Sequence, residues 1–552
     1  MNNVMLGGAA GQGVETTAEI FEKILKKAGF YVHSVRNLMS RVRGGHNFTS
    51  IRFGNEPVYS HSGKFDVIVA LNEESVQLHK NDLGENGFIL CDSKTQTEID
   101  AVKLPMSDMA SELGNAKVSG VIAVGALLRY FDIDISFAEE VLRQVLKPAL
   151  FDINMQAIQK GYSSVEPKFQ AVSGDFSDWM ILSGSEAVGL GAIAAGLNFY
   201  SAYPMSPSTA VMEYLASVGE KAGIVVEQAE DEIAGINMAI GASFAGGRAM
   251  TGTSGGGFCL KVEALGFSGI AEIPLVVIDV MRPGPATGLP TRTEQSDLKF
   301  VISASQGEFP RMVIALRSHE DAIYQTFRAF QLAEKYQIPV ILLSDQYIGD
   351  SHATVKPLDF SGKKNILPDV THDDTEYLRY KNTESGISKR LVPGKTKSFV
   401  LADSDEHDEK GHIIESAEDR ILMADKRTRK VQGLLEELLE PEYFGKPDAD
   451  ILVVGWGSTY GPIIEAVNKM NEEGGSYGAL IFGDIFPLPK KKLEEFTKKS
   501  SKIINVEQNA TGQLAGVIRE YTGIVMSDSI LKYDGRQISG EEIVIELKKG
   551  VR

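Results

Sequence analysis

Short apolar runs that stop at glycine- or proline-rich loops, each followed by a helical pattern, recur along this chain and leave it few folds to adopt. VMLGG near the N-terminus runs into a glycine turn and then the helical pattern TTAEIFEKILKKAG. FDVIVAL (65–71) and the stretch from Gly87 to Cys91 follow, with helical patterns over 117–149. Farther on come a strand ahead of YPMSPST, then IVVEQ (224–228), RAMTGT (248–253), PLVVIDV (274–280) and PVILLSD (339–345), with helices between them. The last part opens with DILVVGWG, continues with the helix GPIIEAVNKMNEEG, and then gives strand-like GALIFGD, KIINVEQ and EEIVIEL. Strands that are apolar throughout and alternate with helices predict parallel sheets covered on both faces. The expected fold class is therefore α/β with three parallel-sheet domains, at 1–175, 176–350 and 446–552. Residues 351–445 are polar and charge-dense until a final helix near 416–439, and read as a linker or lid.

Composition narrows the function. The 552 residues carry a net charge of −18, the opposite of the basic footprint a nucleic-acid binder needs. Cys91 and Cys259 are the only cysteines, far apart and in no C-x-x-C, so neither a disulfide framework nor a four-cysteine iron–sulfur cluster is expected within the chain. The start, MNNVMLGGAAGQG, lacks the basic and long apolar regions of a signal peptide, and no apolar run reaches membrane-spanning length. A cytoplasmic protein without a membrane span is expected.

Several loops carry residues suited to ligands. Gly7, Gly8, Gly11 and Gly13 lie between a strand and a helix, where backbone N–H groups can cradle a phosphate, although Thr16 stands where a dinucleotide fingerprint needs glycine. Downstream, SRVRGGHNFTSIRF sets Arg41, Arg43 and Arg52 around a glycine pair, a candidate anion site or a solvated basic loop. In YPMSPST, two prolines stiffen the loop around Ser206 just after a strand, at the end of a parallel sheet where open α/β folds bind ligands. The plainer reading is a loop entering a helix capped by Ser208 or Thr209.

Glu227, Glu230, Asp231 and Glu232 precede the small, apolar AGINMAIGASFAGG, which reads as a buried helix. Acids at a helix start match the dipole, but one that is desolvated there can also hydrogen-bond a heterocyclic nitrogen. The pattern does not choose among the four. Gly252-Thr253-Ser254-Gly255-Gly256 fits G-x-S-x-G between a strand and a helix, the context of a nucleophile elbow, so a serine hydrolase acting through Ser254 is a rival reading. The later histidines at 319, 352, 372, 407 and 412 sit in no triad context. The loop RPGPATGLPTRTEQSD follows a buried strand and offers Arg282 and Arg292 to a carboxylate. DEHDEKGH (405–412) reads as a solvated charge run rather than a metal site, and VPGKT (392–396) fails as a P-loop because Lys389 occupies the first glycine position.

The order and wording of these motifs resemble the 2-oxoacid:ferredoxin oxidoreductases, specifically the alpha subunits of 2-oxoglutarate type with a fused N-terminal gamma domain. GGAAGQGVE with SRVRGGHN is similar to the gamma domain. SGSEAVGLGAIAAG, YPMSPST, EDEIAGINMAIGAS, TSGGGF, RPGPATGLPTRTEQSDL, KRLVPG and DEHDEKG are similar to the alpha part, and VVGWGSTYG and VEQNATGQL to a transketolase-like C-terminal domain. The resemblance implies a gamma-type domain at 1–175, a thiamine diphosphate pyrimidine-binding domain at 176–350, and the transketolase C-terminal-like domain at 446–552. It implies that Glu232 hydrogen-bonds the thiamine aminopyrimidine, and that Ser206 and Arg282 hold the 2-oxoacid carboxylate. Tyr203, Pro204, Ser254 and Gly255 are then expected at the cofactor, and Gly11, Gly13 and Arg43 at coenzyme A. Departures are YPMSP for YPITP, TSGGG for TSGPG, RPG for RGG and GSEA for GNEA.

The resemblance also implies a partner. GDF (174–176) and GDI (483–485) occur, but not the GDG with a following asparagine that usually holds the diphosphate and Mg²⁺. Mg²⁺ and a [4Fe-4S] cluster are therefore expected on a beta subunit, with ferredoxin as electron acceptor and a dimer of heterodimers as the assembly. The reaction implied is CoA-dependent oxidative decarboxylation of a 2-oxoacid, 2-oxoglutarate first and pyruvate or a branched-chain acid next.

Overall fold

The computed structural model of the protein describes residues 1–39, 45–367, 377–395 and 397–550. Its contacts divide it into two compact units: 1–183 with 350–358 and 539–542, and 184–349 with 359–538 and 543–552.

The first unit is built on an eight-stranded sheet. Val102–Leu104, Leu83–Asp92, Phe65–Ala70 and Asn2–Ala9 are parallel neighbours. From Asn2–Ala9 the sheet continues antiparallel through His46–Gly54, Tyr31–Asn37, His352–Val355 and Met180–Ser183. The sheet is thus half parallel. Its antiparallel strands carry buried polar residues such as Ser34, Asn47, Thr49 and Ser50, so they do not read as apolar runs. Helix Val14–Lys27 turns Thr17, Ala18, Phe21, Ile24 and Leu25 onto the sheet at helical spacing. Phe21, Phe30, Phe53 and Phe131 meet there edge to face, with centroids 5.1–5.9 Å apart.

The second unit holds two sheets. The larger has the order Asp484–Phe486, Met312–Ala315, Pro339–Asp345, Leu275–Met281, Ala249–Thr253, Phe199–Ala202, Val225–Gln228. Only the first of these is antiparallel to its neighbour. Every residue of Leu275–Met281 and Pro339–Asp345 is buried, as expected of central parallel strands covered on both sides. The smaller sheet runs Glu442–Gly445, Tyr477–Phe482, Ile451–Trp456, Lys502–Glu507, Asp528–Leu531, parallel except at its first strand.

Two segments differ from the expectation. EEIVIEL is not a strand but part of helix Gly540–Lys548, because Ile543, Val544 and Leu547 bury one helical face. Ser539 and Glu542 close its start reciprocally, Ser539 N donating to Glu542 Oε2 (2.8 Å) and Glu542 N to Ser539 Oγ (3.2 Å). The charge-dense 377–437 stretch is packed rather than solvated. Lys426 and Lys430, both fully buried, clamp the carboxylate of buried Glu272, while Arg379 donates to Glu272 O (2.7 Å). Burial alone would raise the Glu272 carboxyl, but Lys430, Lys426 and Arg379 outweigh it and hold it well below the ordinary range.

Candidate active site

Because Phe199–Ala202, Val225–Gln228, Ala249–Thr253 and Leu275–Met281 are parallel, the loops that follow them leave the same edge of the sheet. Those loops are YPMSPST, EDE, TSGGG and RPGPATGLPTRTEQSD. Four separate motifs thus converge at the carboxyl ends of four neighbouring strands, the ligand-binding position of open α/β sheets.

The acids are now told apart. Asp231 is the N-cap of helix Glu232–Phe244, its Oδ1 accepting from Ala234 N (2.7 Å). Glu227 and Glu230 are exposed. Glu232 alone is buried, at 6 % exposure, and its carboxylate has no hydrogen-bond partner among the described residues. An unpaired buried carboxylate at the head of an apolar helix has the acceptor that a protonated ring nitrogen requires, so this position fits the aminopyrimidine. Fully buried Lys261 braces the helix start, donating to Glu232 O (3.1 Å) and Thr251 Oγ1 (3.0 Å). Burial lowers its ammonium to about 8, with Glu232 and Asp231 opposing.

Arg282 lies at Ser206. Its Nη1 donates to Ser206 O (2.6 Å), which leaves most of its five N–H donors for a ligand. The Ser206 hydroxyl makes no hydrogen bond among the described residues, and neither Ser208, the N-cap of helix Thr209–Ala222, nor Thr209 caps through its side chain. Arg292 lies instead against Gly535, and burial and Arg536 lower its affinity for its proton. Tyr203, at 40 % exposure, and half-buried Pro204 border the same edge.

The TSGGG glycines act by close approach. A Cβ on Gly257 would sit 2.6 Å from Glu232 Oε1 and 2.8 Å from Met205 Sδ, and nearer still to Thr253 Oγ1. A Cβ on Gly255 would sit 2.5 Å from Asp297 Oδ2, and one on Gly252 would collide with the Tyr200 hydroxyl. The glycine spacing that suggested an elbow therefore makes room for three polar side chains. Ser254 is fully buried and its Oγ has no hydrogen-bond partner, so no base activates it and the hydrolase reading has no support.

The arginine loop is fixed from the smaller sheet. Gln295 Nε2 donates to Trp456 O (2.8 Å), Gln508 N to Gln295 Oε1 (3.0 Å) and Gln513 Nε2 to Ser296 O (2.7 Å). Glu507 is the hub of that network. It accepts from Trp456 Nε1, Asn505 Nδ2, Asn509 Nδ2, Leu514 N and Ala515 N at 2.9–3.1 Å.

Sequence reasoning missed Lys261, Asp279 and Asp297. Asp279 is fully buried with neither oxygen hydrogen-bonded, and Asp297 Oδ2 is likewise unpartnered. Their only sequence signal is an acid inside an apolar strand, PLVVIDV, and another closing the proline loop.

In the first unit, Gly11 (φ 93°) and Gly13 (φ 78°) take left-handed conformations, and the space where their Cβ atoms would be is open. Gly13 is the N-cap of helix Val14–Lys27, and Gln12 Oε1 accepts from Ala9 N (2.7 Å). Arg52 Nη1 donates to Ser60 O (2.6 Å). Arg41 and Arg43 lie outside the described residues. In DEHDEKGH, Glu406 pairs with Arg420 and Arg427 and the His407 ring packs on Tyr380, while the GDI aspartate, Asp484, takes Arg328 in a two-pronged pair of 2.6 and 2.8 Å. Among the described residues no helix is long and apolar enough to cross a membrane.

Comparison with known proteins matches this architecture segment by segment. Residues 190–426 match the model "Pyruvate flavodoxin/ferredoxin oxidoreductase, thiamine diP-bdg", which defines the unit around Glu232 and Arg282 as a thiamine diphosphate-binding fold. Residues 3–164 match "Pyruvate ferredoxin/flavodoxin oxidoreductase" and 449–543 "Pyruvate:ferredoxin oxidoreductase core domain II". The 2-oxoacid:ferredoxin oxidoreductase subunit alpha of a Sulfolobus species is 31 % identical, over 99 % of this chain and 96 % of that one. The 2-oxoglutarate oxidoreductase subunit KorA of Mycobacterium tuberculosis is 27 % identical over 98 % and 91 %. The structure of the 2-oxoglutarate:ferredoxin oxidoreductase from Magnetococcus marinus, with 2-oxoglutarate, coenzyme A and succinyl-CoA bound, superposes with a TM-score of 0.93 at 32 % identity, covering 100 % of this chain and 99 % of that one. The chain belongs to the thiamine-diphosphate-dependent 2-oxoacid:ferredoxin oxidoreductases.

Proposed function

We propose that this chain is the pyrimidine-binding alpha subunit, with fused gamma domain, of an enzyme that oxidatively decarboxylates 2-oxoglutarate to its acyl-CoA and CO₂ and passes electrons to ferredoxin. The observation that carries the reading is the buried, unpaired carboxylate of Glu232, set on the same sheet edge as Arg282. The substrate assignment is supported by the ligands of the Magnetococcus marinus relative. When bound, thiamine diphosphate supplies the carbon nucleophile for the 2-oxo carbon and a sink for the electron pair left by CO₂. Glu232 accepts a hydrogen bond from the aminopyrimidine and fixes where its ring proton resides. Arg282 binds the substrate carboxylate through two N–H groups, and the Ser206 hydroxyl donates to the same carboxylate. Tyr203 and Pro204 border the ring, and Ser254 and Gly255 shape its floor. Gly11 and Gly13, with Arg43, serve the phosphates of coenzyme A.

A beta subunit completes the site in this reading. With two cysteines the chain lacks ligands for a [4Fe-4S] cluster, and Asp484 of its GDI is engaged by Arg328. Val225, Ile233, Met238 and Leu260, exposed by 41–57 %, rim the Glu232 helix and suit burial against that partner. The partner contributes Mg²⁺ and the cluster, the assembly is a dimer of heterodimers, and the enzyme works in the cytoplasm.

The test is CoA-dependent viologen reduction by the chain co-expressed with its partner, using 2-oxoglutarate, pyruvate and 2-oxoisovalerate. Preference for 2-oxoglutarate is expected, with activity abolished in Glu232→Ala and oxoacid binding lost in Arg282→Ala. Near-normal turnover in the Glu232 variant, or turnover by the chain alone, refutes the reading.

A further inference from the structure

Asp279, on the strand that leads into Arg282, and Asp297, which is tied to that arginine through Ser296, sit in a setting that ordinary packing does not explain. Asp279 projects from the central strand Leu275–Met281, fully buried, with both oxygens unpartnered. Asp297 ends the arginine loop. Its Oδ1 accepts from Ser296 Oγ (3.0 Å), and the same Ser296 hydroxyl lies 3.0 Å from Arg282 O. Asp297 Oδ2 is buried, unpartnered, and admitted only because residue 255 is glycine. A buried carboxylate without partners is strongly disfavoured, and one with a second acid beside it more so, unless one of them holds a proton.

The groups around the pair are few. Cys259 on helix Gly255–Ile270 is raised by burial and by both acids, and Glu294 in the loop is pushed to about 7 by burial and Asp297. Arg282 is the cation that acts on Asp297. Burial lowers its hold on its proton and Asp297 restores part of it. Asp279 is raised by burial and by Asp297, while Asp297 is raised to about 6 by burial against the opposing Ser296 and Arg282.

We propose that Asp279 and Asp297 form a proton-holding pair that positions Arg282, taking up a proton from solvent when the carboxylate of the 2-oxoacid docks on that arginine. This rests on the reading of Arg282 given above. A docking carboxylate adds negative charge beside the pair and displaces water, so both acids hold protons more tightly. One carboxylate takes one proton and becomes a neutral acid, and no other bond changes. By linkage, affinity for the 2-oxoacid falls as pH rises and the pair empties. Both are positioning residues, since they reach the substrate only through Arg282.

The experiment uses the assembled enzyme and glutarate, a non-reactive dicarboxylate, or butyrate if turnover selects a monocarboxylic substrate. Calorimetry in buffers of different ionisation enthalpy reads the protons taken up. Uptake of roughly half a proton or more per site is expected near neutral pH. KM for the 2-oxoacid should rise as pH is raised above about 6 while kcat moves less. Asp297→Asn should abolish the uptake and flatten the KM profile. Asp279→Asn provides the same comparison should Asp297→Asn not fold. Binding without proton uptake and a flat KM profile in the wild type overturn the proposal. Arg282→Gln separates the two claims: glutarate affinity unchanged in that variant refutes the arginine reading, whereas a roughly tenfold or greater loss with no wild-type proton uptake leaves the arginine in place and removes the pair.

Discussion

Gly257→Ala tests whether the glycine loop exists to seat Glu232, the acid proposed to hold the pyrimidine. Ordinary van der Waals contact begins at 3.4 Å, so the added methyl falls short by 0.8 Å at Glu232 Oε1 and 0.6 Å at Met205 Sδ. Thr253 Oγ1 is closer still and, being buried, has little room to retreat. Over-packing of this kind costs about 1–3 kcal/mol. Displacing the Glu232 carboxylate by most of an ångström should reduce kcat by roughly 30–100-fold, since a misplacement near 1 Å costs about 10²-fold. Gly256→Ala is the matched control. Its Cβ would meet only the flexible Met205 Cε at 3.3 Å and Ala286 O at 3.6 Å. It should keep kcat within about threefold. Viologen reduction by the assembled enzyme reads the rates, and the urea midpoint of each variant reads stability. Gly257→Ala with undiminished kcat and an unchanged midpoint refutes the argument, as does an equal loss in Gly256→Ala.

Glu507→Ala strands five buried or half-buried N–H donors and should cost about 3–5 kcal/mol in urea unfolding; a loss below about 1 kcal/mol would mean the hub is dispensable. Asp345 is raised from 3.8 to about 6, first by burial, despite hydrogen bonds from Ser458 and Ile348 N. A raised acid favours the folded state at low pH, and that contribution is lost as pH rises through about 6. Asp345→Asn should therefore gain stability at pH 8, by at most about 3 kcal/mol for a shift of this size, with the gain vanishing near pH 4; thermal melts across pH that show no crossing remove the effect. Glu272 has the opposite sign. Its contribution is present above its unfolded value of about 4.5 and is lost as pH falls through its depressed folded value. Glu272→Gln should cost about 3–5 kcal/mol at pH 7, and urea midpoints should show the difference shrinking only in acid.

The motif loops were legible because each is continuous in sequence and follows an apolar strand. Ser206, Glu232 and Arg282 could be named before their strands were known to be neighbours. Choosing Glu232 among four acids needed the fold or the family resemblance, because Asp231 and Glu232 differ by one helical position yet one caps in solvent and the other is buried. Burial pattern misled where charge was paired inside. The 351–445 stretch read as a linker or lid because nothing in the local sequence announces that Lys426 pairs with Glu272, 154 residues away. The strands His46–Gly54 and Tyr31–Asn37 escaped notice because their inward positions carry serine, threonine and asparagine. Ile543, Val544 and Leu547 serve a helix as well as a strand, and only the Ser539–Glu542 closure decides between them.

The same physics explains why the groups of the proposed site sit where they do. Thiamine chemistry needs one carboxylate free of protein partners, and a free carboxylate is tolerated only if its surroundings are fixed before the ligand arrives. Here the fixing is done by absent side chains and by a neighbouring sheet. Gly257 leaves space for Glu232, Gly255 for Asp297 and Gly252 for the Tyr200 hydroxyl, while Gln295 and Ser296 anchor the arginine loop to the smaller sheet through Gln508 and Gln513. The smaller sheet therefore anchors the loop whose Ser296 closes back on the Arg282 carbonyl. Its motif VEQNATGQL keeps Glu507 as the buried hub, Gln508 and Gln513 as the two residues that reach across, and Asn509 as the link between them, its Nδ2 donating to Gln295 O (3.2 Å) and to Glu507 Oε2 (2.9 Å).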